Sequence, residues 1–166
     1  MTNAASRHTE APVIEIRITS PLWQARPLAE QTVREAIAAA AAFSKTSGEV
    51  SIVLADDEMI RALNRHWRGI DKPTNVLSFP ASKAGGKLFG DIVVAYETLA
   101  RECDDEDRFF LHHLAHLTVH GFLHLIGYDH QTDAHADEME GHESKIMLCL
   151  NMPDPYLERD LGYDDI

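Results

Sequence analysis

The sequence predicts an α+β fold: one domain with a small mixed four-stranded sheet packed with helices, and a metal site at the end of a buried central helix. Three observations lead there. Short runs of strand-forming residues occur at 13–19, 49–55, 75–79 and 90–96. Helical patterns fall between and after them in the order β-α-β-α-β-β-α-α, which calls for a mixed sheet rather than a helical bundle. One long segment, FFLHHLAHLTVHGFLHLI at 109–126, is apolar nearly all round and so belongs in a core, yet it carries five histidines.

Each element has its own signal. VIEIRIT at 13–19 alternates Ile14, Ile16 and Ile18 with Glu15 and Arg17, the period of a strand with one wet face. An alanine-rich helix follows over 27–43, with Leu28, Val33 and Ile37 on its apolar side. EVSIVLA at 49–55 sets Val50, Ile52 and Leu54 on one face. Asp56 is placed to cap the next helix, Asp57 and Glu58 suit its positive start, and Ile60, Leu63 and Trp67 supply its apolar stripe until Gly69 ends it. NVLSF (75–79), stopped by Pro80, and GDIVVAY (90–96) are two strands joined by a loop through Gly85 and Gly86. Helices over 97–102, 106–126 and 133–150 complete the chain.

A chain of 166 residues suits a single domain, placed at 13–151 between a flexible N-terminus (1–12) and an acidic C-terminal tail (152–166). The hydrophobic fraction of 45% is that of a globular protein. No signal-like apolar stretch follows the N-terminus and none is long enough to span a bilayer, so the expected location is the cytoplasm, with no membrane partner. Cys103 and Cys149 are far apart and outside any C-x-x-C arrangement, and read as buried or inert thiols.

The net charge of −12 opposes nucleic-acid binding at first sight. Its distribution does not. Residues 61–87 hold Arg61, Arg65, Arg68, Lys72, Lys83 and Lys87 against Asp71 alone, a local net of +5 that leaves −17 elsewhere. One face can be positive on a negative molecule.

Histidines four apart share a helix face, so His116/His120 and His120/His124 can each offer two imidazoles to one ion. His116 and His124 lie about 12 Å apart along the axis and cannot both bind. Gly127 permits a sharp turn after the helix, which lets His130 swing back toward the pair His120/His124. Three neutral imidazoles leave a tetrahedral fourth position for water, the pattern of a catalytic zinc site, although nickel, copper or iron would also fit. Asp129 and Glu143 are candidates to hold the ligands' other ring nitrogens, or are simply solvated acids.

The run HGFLHLIGYDH (120–130) has the histidine spacing of a zinc metalloprotease, but Gly121 stands where such a protease has its glutamate base. Without that base peptide hydrolysis is disfavoured, whereas displacement at phosphorus, which calls for a nearby guanidinium, remains open.

Together with LNRHWRGIDKPTNVLSFP (63–80) and GDIVVAYET (90–98), this run closely resembles the YbeY family of bacterial endoribonucleases over about residues 13–150. The resemblance implies a zincin-like domain and a zinc-dependent, single-strand-specific endoribonuclease acting in 16S rRNA 3′ end maturation and ribosome quality control. It implies ribosomal RNA, small-subunit ribosomal proteins and an Era-type GTPase as partners. It maps the zinc ligands onto His120, His124 and His130, and a functional arginine onto Arg68. Where family members often read T-D-V-L-S-F-P, this chain has Asn75. Two rivals are a non-catalytic ribosome-assembly factor braced by zinc and a metallopeptidase. The general base is left open among Asp129, another carboxylate and metal-bound hydroxide, with the RNA 2′-OH as an alternative nucleophile.

Overall fold

The computed structural model describes residues 10–82 and 88–157, so the Gly85–Gly86 loop with Lys83 and Lys87 lies outside the described residues. Strands β1 (Val13–Ile18), β2 (Glu49–Ala55) and β4 (Leu88–Ala95) run parallel, and β3 (Val76–Pro80) lies antiparallel to β4 at one edge, in the order β1-β2-β4-β3. The helices are α1 (Ala29–Ser44), α2 (Asp57–Arg68), α3 (Tyr96–Glu106), α4 (Phe110–Leu125) and α5 (Asp133–Cys149). The α+β class with a mixed four-stranded sheet is therefore as expected.

Side-chain alternation decides where each helix packs. Val50, Ile52 and Leu54 of β2 point to one face of the sheet, with Ile92 and Val94 of β4, and meet α1 and α4 in the main core. Val53, Ala55, Leu77, Val93 and Ala95 point to the other face, where Ile60 of α2 covers them. Helix α1 comes close because its buried side is small: Ala36, Ala40 and Ala41 flank Val33 and Ile37. Helix α4 lies at the centre, with Leu114, Val119, Phe122 and Leu123 fully buried.

The structure differs from the expected elements in three places. Helix α3 continues to Glu106 and ends on Asp107 in the left-handed conformation (φ 54°), so α4 starts only at Phe110 rather than at 106. An unanticipated 3-10 helix at Pro21–Ala25 buries Trp23, whose indole Nε1 donates to the Ala55 carbonyl at 2.9 Å. Trp67, expected in the apolar stripe of α2, is 65% exposed, because the last turn of the helix runs beyond the sheet that Ile60 and Leu63 cover.

Residues 152–157, the described start of the stretch read as an acidic tail, pack on the helices: Asp154 accepts from Ser144 Oγ at 2.8 Å, and Pro155 is buried. Both cysteines are free. Cys103 is buried, and burial followed by the nearby Glu102 carboxylate pushes its thiol up to about 11, whereas Cys149 is exposed. Among the described residues no helix is long and apolar enough to cross a membrane.

Candidate metal centre

Helix α4 brings His120 and His124 to one face, one turn apart, with their Nε2 atoms 3.1 Å apart. The helix then stops in a Schellman arrangement: the Tyr128 amide donates to the Leu123 carbonyl at 3.0 Å and the Gly127 amide to the His124 carbonyl at 3.2 Å. Gly127 sits at φ +107°, a value that side-chain-bearing residues rarely adopt, and the chain doubles back there. His130 thereby comes within ring-centroid distances of 5.7 Å and 5.0 Å of His120 and His124. One ring nitrogen from each of the three histidines lies within 4.8 Å of the others.

This donor set fits a transition-metal ion. Two nitrogens bound about 2.1 Å from one tetrahedral centre lie roughly 3.4 Å apart, close to the His120–His124 separation. Burial, and then the neighbouring His120 and His130, lower the His124 pKa, which favours the neutral imidazole that a metal needs. His130 is exposed, so the cluster opens to solvent on that side.

Of the two carboxylates proposed to support the ligands, the structure selects Glu143. His120 Nδ1–H donates to Glu143 Oε1 at 2.5 Å, which leaves the His120 Nε2 lone pair directed into the cluster. Glu143 is 0% exposed and its other oxygen accepts from the Tyr156 hydroxyl. Burial acts to raise this carboxyl, but His116, with Nε2 3.6 Å away, and the hydrogen bond from His120 outweigh it and hold the pKa at about 2. Asp129 instead faces His135, at 3.2 Å. His116, the alternative partner of His120, turns away from the cluster, with Nε2 3.2 Å from the Tyr156 hydroxyl.

Gly121 shows why no glutamate follows the first histidine. A Cβ there would lie 3.0 Å from Ser78 Oγ and 3.1 Å from Ile92 Cγ2, and Ser78 Oγ donates to the Gly121 carbonyl at 3.0 Å. This position of α4 presses against β3 and β4. A longer side chain would press on Ser78, Ile92 and Val76.

Next to His120 is a cavity of about 260 Å³, lined among others by Glu102, Arg108, His113, His116 and Tyr156. Asn75 Nδ2 donates to both oxygens of Glu102, at 2.9 and 3.2 Å, and His113 Nε2–H donates to Glu102 Oε1 at 3.1 Å. An aspartate at 75 would set one carboxylate against another. Sequence reasoning passed over Glu102, Arg108 and Tyr156, because isolated polar residues in different elements give no periodic signal. Arg68 stands exposed on the last turn of α2, and among the described residues no hydrogen bond or ion pair joins it to the histidines.

Comparison with known proteins places the chain in one family. The family model described as Endoribonuclease YbeY matches residues 19–151. Two proteins of that name are close relatives: one from a Bradyrhizobium species is 51% identical over 160 residues, covering 90% of this chain and 95% of its own. The other, from Nitrobacter winogradskyi, is 53% identical over 156 residues, covering 87% and 82%. A solution structure from Thermotoga maritima aligns over 93% of this chain and 97% of its own, with a TM-score of 0.49 and 22% identity.

Proposed function

The chain belongs to the Endoribonuclease YbeY family, and on that premise we propose that it is a zinc-dependent endoribonuclease that cuts single-stranded RNA. The observation that carries this reading is the pairing of an open three-histidine cluster with a glycine sealed against the sheet. His120, His124 and His130 would hold the ion, which when bound supplies Lewis acidity toward a phosphodiester. Glu143, buried behind His120, orients that imidazole and fixes its tautomer. Arg68, exposed and cationic, neutralises the charge that grows on the phosphate as it is attacked. The crowded position at Gly121 carries no protease carboxylate, which speaks against peptide hydrolysis.

The biological substrate we propose is the 3′ end of 16S rRNA, processed in the cytoplasm during small-subunit maturation and quality control. Small-subunit ribosomal proteins and an Era-type GTPase are the proposed partners, and they offset the weak RNA attraction of a chain with net charge −12. The test is cleavage of a single-stranded RNA spanning that 3′ end by zinc-loaded wild type, His120→Ala and Arg68→Ala purified in parallel. Cutting by the wild type and loss in both folded variants is the expected result. Equal cutting by all three, or none by any, overturns the nuclease reading.

A further inference from the structure

The last turn of α2 carries an arrangement that the metal centre does not use. Trp67 is 65% exposed and Ile70 is 40% exposed, both large apolar residues facing water. The indole leans on Phe79 of β3, with centroids 6.2 Å apart, and meets His66 edge-on at 4.9 Å. Arg65, Arg68 and Lys72 lie within five residues of it along the chain, all exposed and without an ion pair among the described residues. The one carboxylate in this stretch, Asp71, is engaged by Arg61 in a two-pronged pair at 2.9 and 3.2 Å. A chain with net charge −12 thus keeps a surplus of cations in the segment that carries its most exposed indole.

The position matters as much as the charge. β3 is an edge strand, and its side chains alternate between two sites. Ser78 faces α4 and bonds the Gly121 carbonyl beside His120, while Phe79, the next residue, faces α2 and supports Trp67. A strand of nucleic acid crossing the edge at β3 would meet the histidine cluster on one side and the indole on the other.

We propose that the end of α2 is a stacking platform for single-stranded RNA, on which one base lies against Trp67 while Lys72 holds an adjacent phosphate. An exposed aromatic face flanked by cations is the general means of binding a single strand without regard to sequence. The occupant is RNA rather than a protein segment because the cations outnumber the carboxylates over residues 61–72 and the metal centre lies across the same strand. This inference rests on the reading of the chain as an RNA nuclease, but binding and cutting are measured separately.

The chain has two tryptophans, and Trp23 is 2% exposed, so ligand-dependent quenching of the holoprotein's fluorescence reports on Trp67. The probe is a 2′-O-methyl oligouridine, its integrity checked on a gel after titration, with an abasic oligomer of equal length as control. The expected result is quenching by the oligouridine and not by the abasic strand. Trp67→Phe should bind within about threefold of wild type, and Trp67→Ala about tenfold or more weaker. An unquenched indole at saturating RNA, or Trp67→Ala binding as tightly as wild type, overturns the platform, and quenching by a small-subunit ribosomal protein in its place would mark a protein-docking face. Cleavage of RNA by wild type with no quenching refutes the platform and spares the nuclease; quenching without cleavage does the reverse.

Discussion

Replacing Glu143 by glutamine removes one charge and little else. The amide oxygen can still accept from His120 Nδ1–H, and the amide nitrogen can donate to the Tyr156 hydroxyl, so the side chain keeps its place between the two. What is lost is the charge assistance of a 2.5 Å bond at a site that is 0% exposed, where water cannot screen it. A hydrogen bond to a charged group contributes about 1.5–3 kcal/mol against about 1 for a neutral pair, so the difference is about 1–2 kcal/mol. At about 1.4 kcal/mol per decade that is roughly a tenfold loss of metal affinity, the lower end of the 10- to 100-fold range for groups that support a ligating histidine. The assay is competition for zinc against a chromophoric chelator, with circular dichroism to show that Glu143→Gln remains folded. An unchanged affinity in a folded variant would refute the claim that Glu143 supports the metal through His120. Glu143→Ala separates orientation from packing, since it leaves the His120 Nδ1–H without its acceptor and should lower stability by about 3 kcal/mol.

The other predictions concern backbone, packing and pH. Gly121→Ala should lose up to about 2 kcal/mol in urea unfolding, since overpacking of about 1–3 kcal/mol against Ser78 and Ile92 is offset by a gain of about 1 kcal/mol in helix propensity. Gly141→Ala, where a Cβ on the exposed side of α5 meets nothing within 4 Å, should gain about 0.5–1 kcal/mol; a stabilised Gly121→Ala would sink the packing argument. Gly127→Ala places a side chain at φ +107° and should cost about 1–3 kcal/mol, with zinc affinity falling as His130 is displaced. Because the Glu143 pKa is depressed to about 2 from an ordinary 4.5, its carboxylate contributes stability that is fully present above pH 4.5 and lost as pH falls toward 2. Glu102 works in the same direction: burial acts to raise its pKa, but hydrogen bonds from His113 and Asn75 prevail and lower it. Thermal unfolding from pH 6 downward should show that loss, with a shallower slope in Glu143→Gln.

The metal cluster was legible because its logic is local. His120 and His124 are related by the helix repeat, and Gly127 marks the turn that brings His130 back, so eleven residues contain the whole geometry. The choice between Asp129 and Glu143 was not legible, since it depends on how α5 lies against α4. Glu143 shares the buried side of α5 with Met139 and Ile146, a hint of direction but not of partner. Tyr156 gave no signal at all: a single tyrosine near an acidic stretch becomes structural only when residues 152–157 fold back onto the helices. Trp67 shows the opposite failure. Periodicity correctly put it in line with Ile60 and Leu63, but periodicity describes a helix face and not how far the opposing sheet extends.

The position of the carboxylate links these observations to the chemistry. A glutamate directly after the first histidine would serve the substrate side of the metal, carrying protons from the attacking water to a leaving amine. In this chain that position is pressed against Ser78 and Ile92, and the carboxylate comes instead from α5, behind His120, where it contacts the ligand and is 0% exposed. A buried group bonded to His120 and Tyr156 can set the orientation and basicity of a ligand but is poorly placed to exchange protons with a substrate. Such a site favours a reaction limited by charge accumulating on the substrate over one limited by protonating a poor leaving group. Phosphodiester cleavage has that character, and exposed cations such as Arg68 would then contribute more to it than an added base beside the metal. Restoring a carboxylate at 121 should therefore disturb the sheet without creating a peptidase.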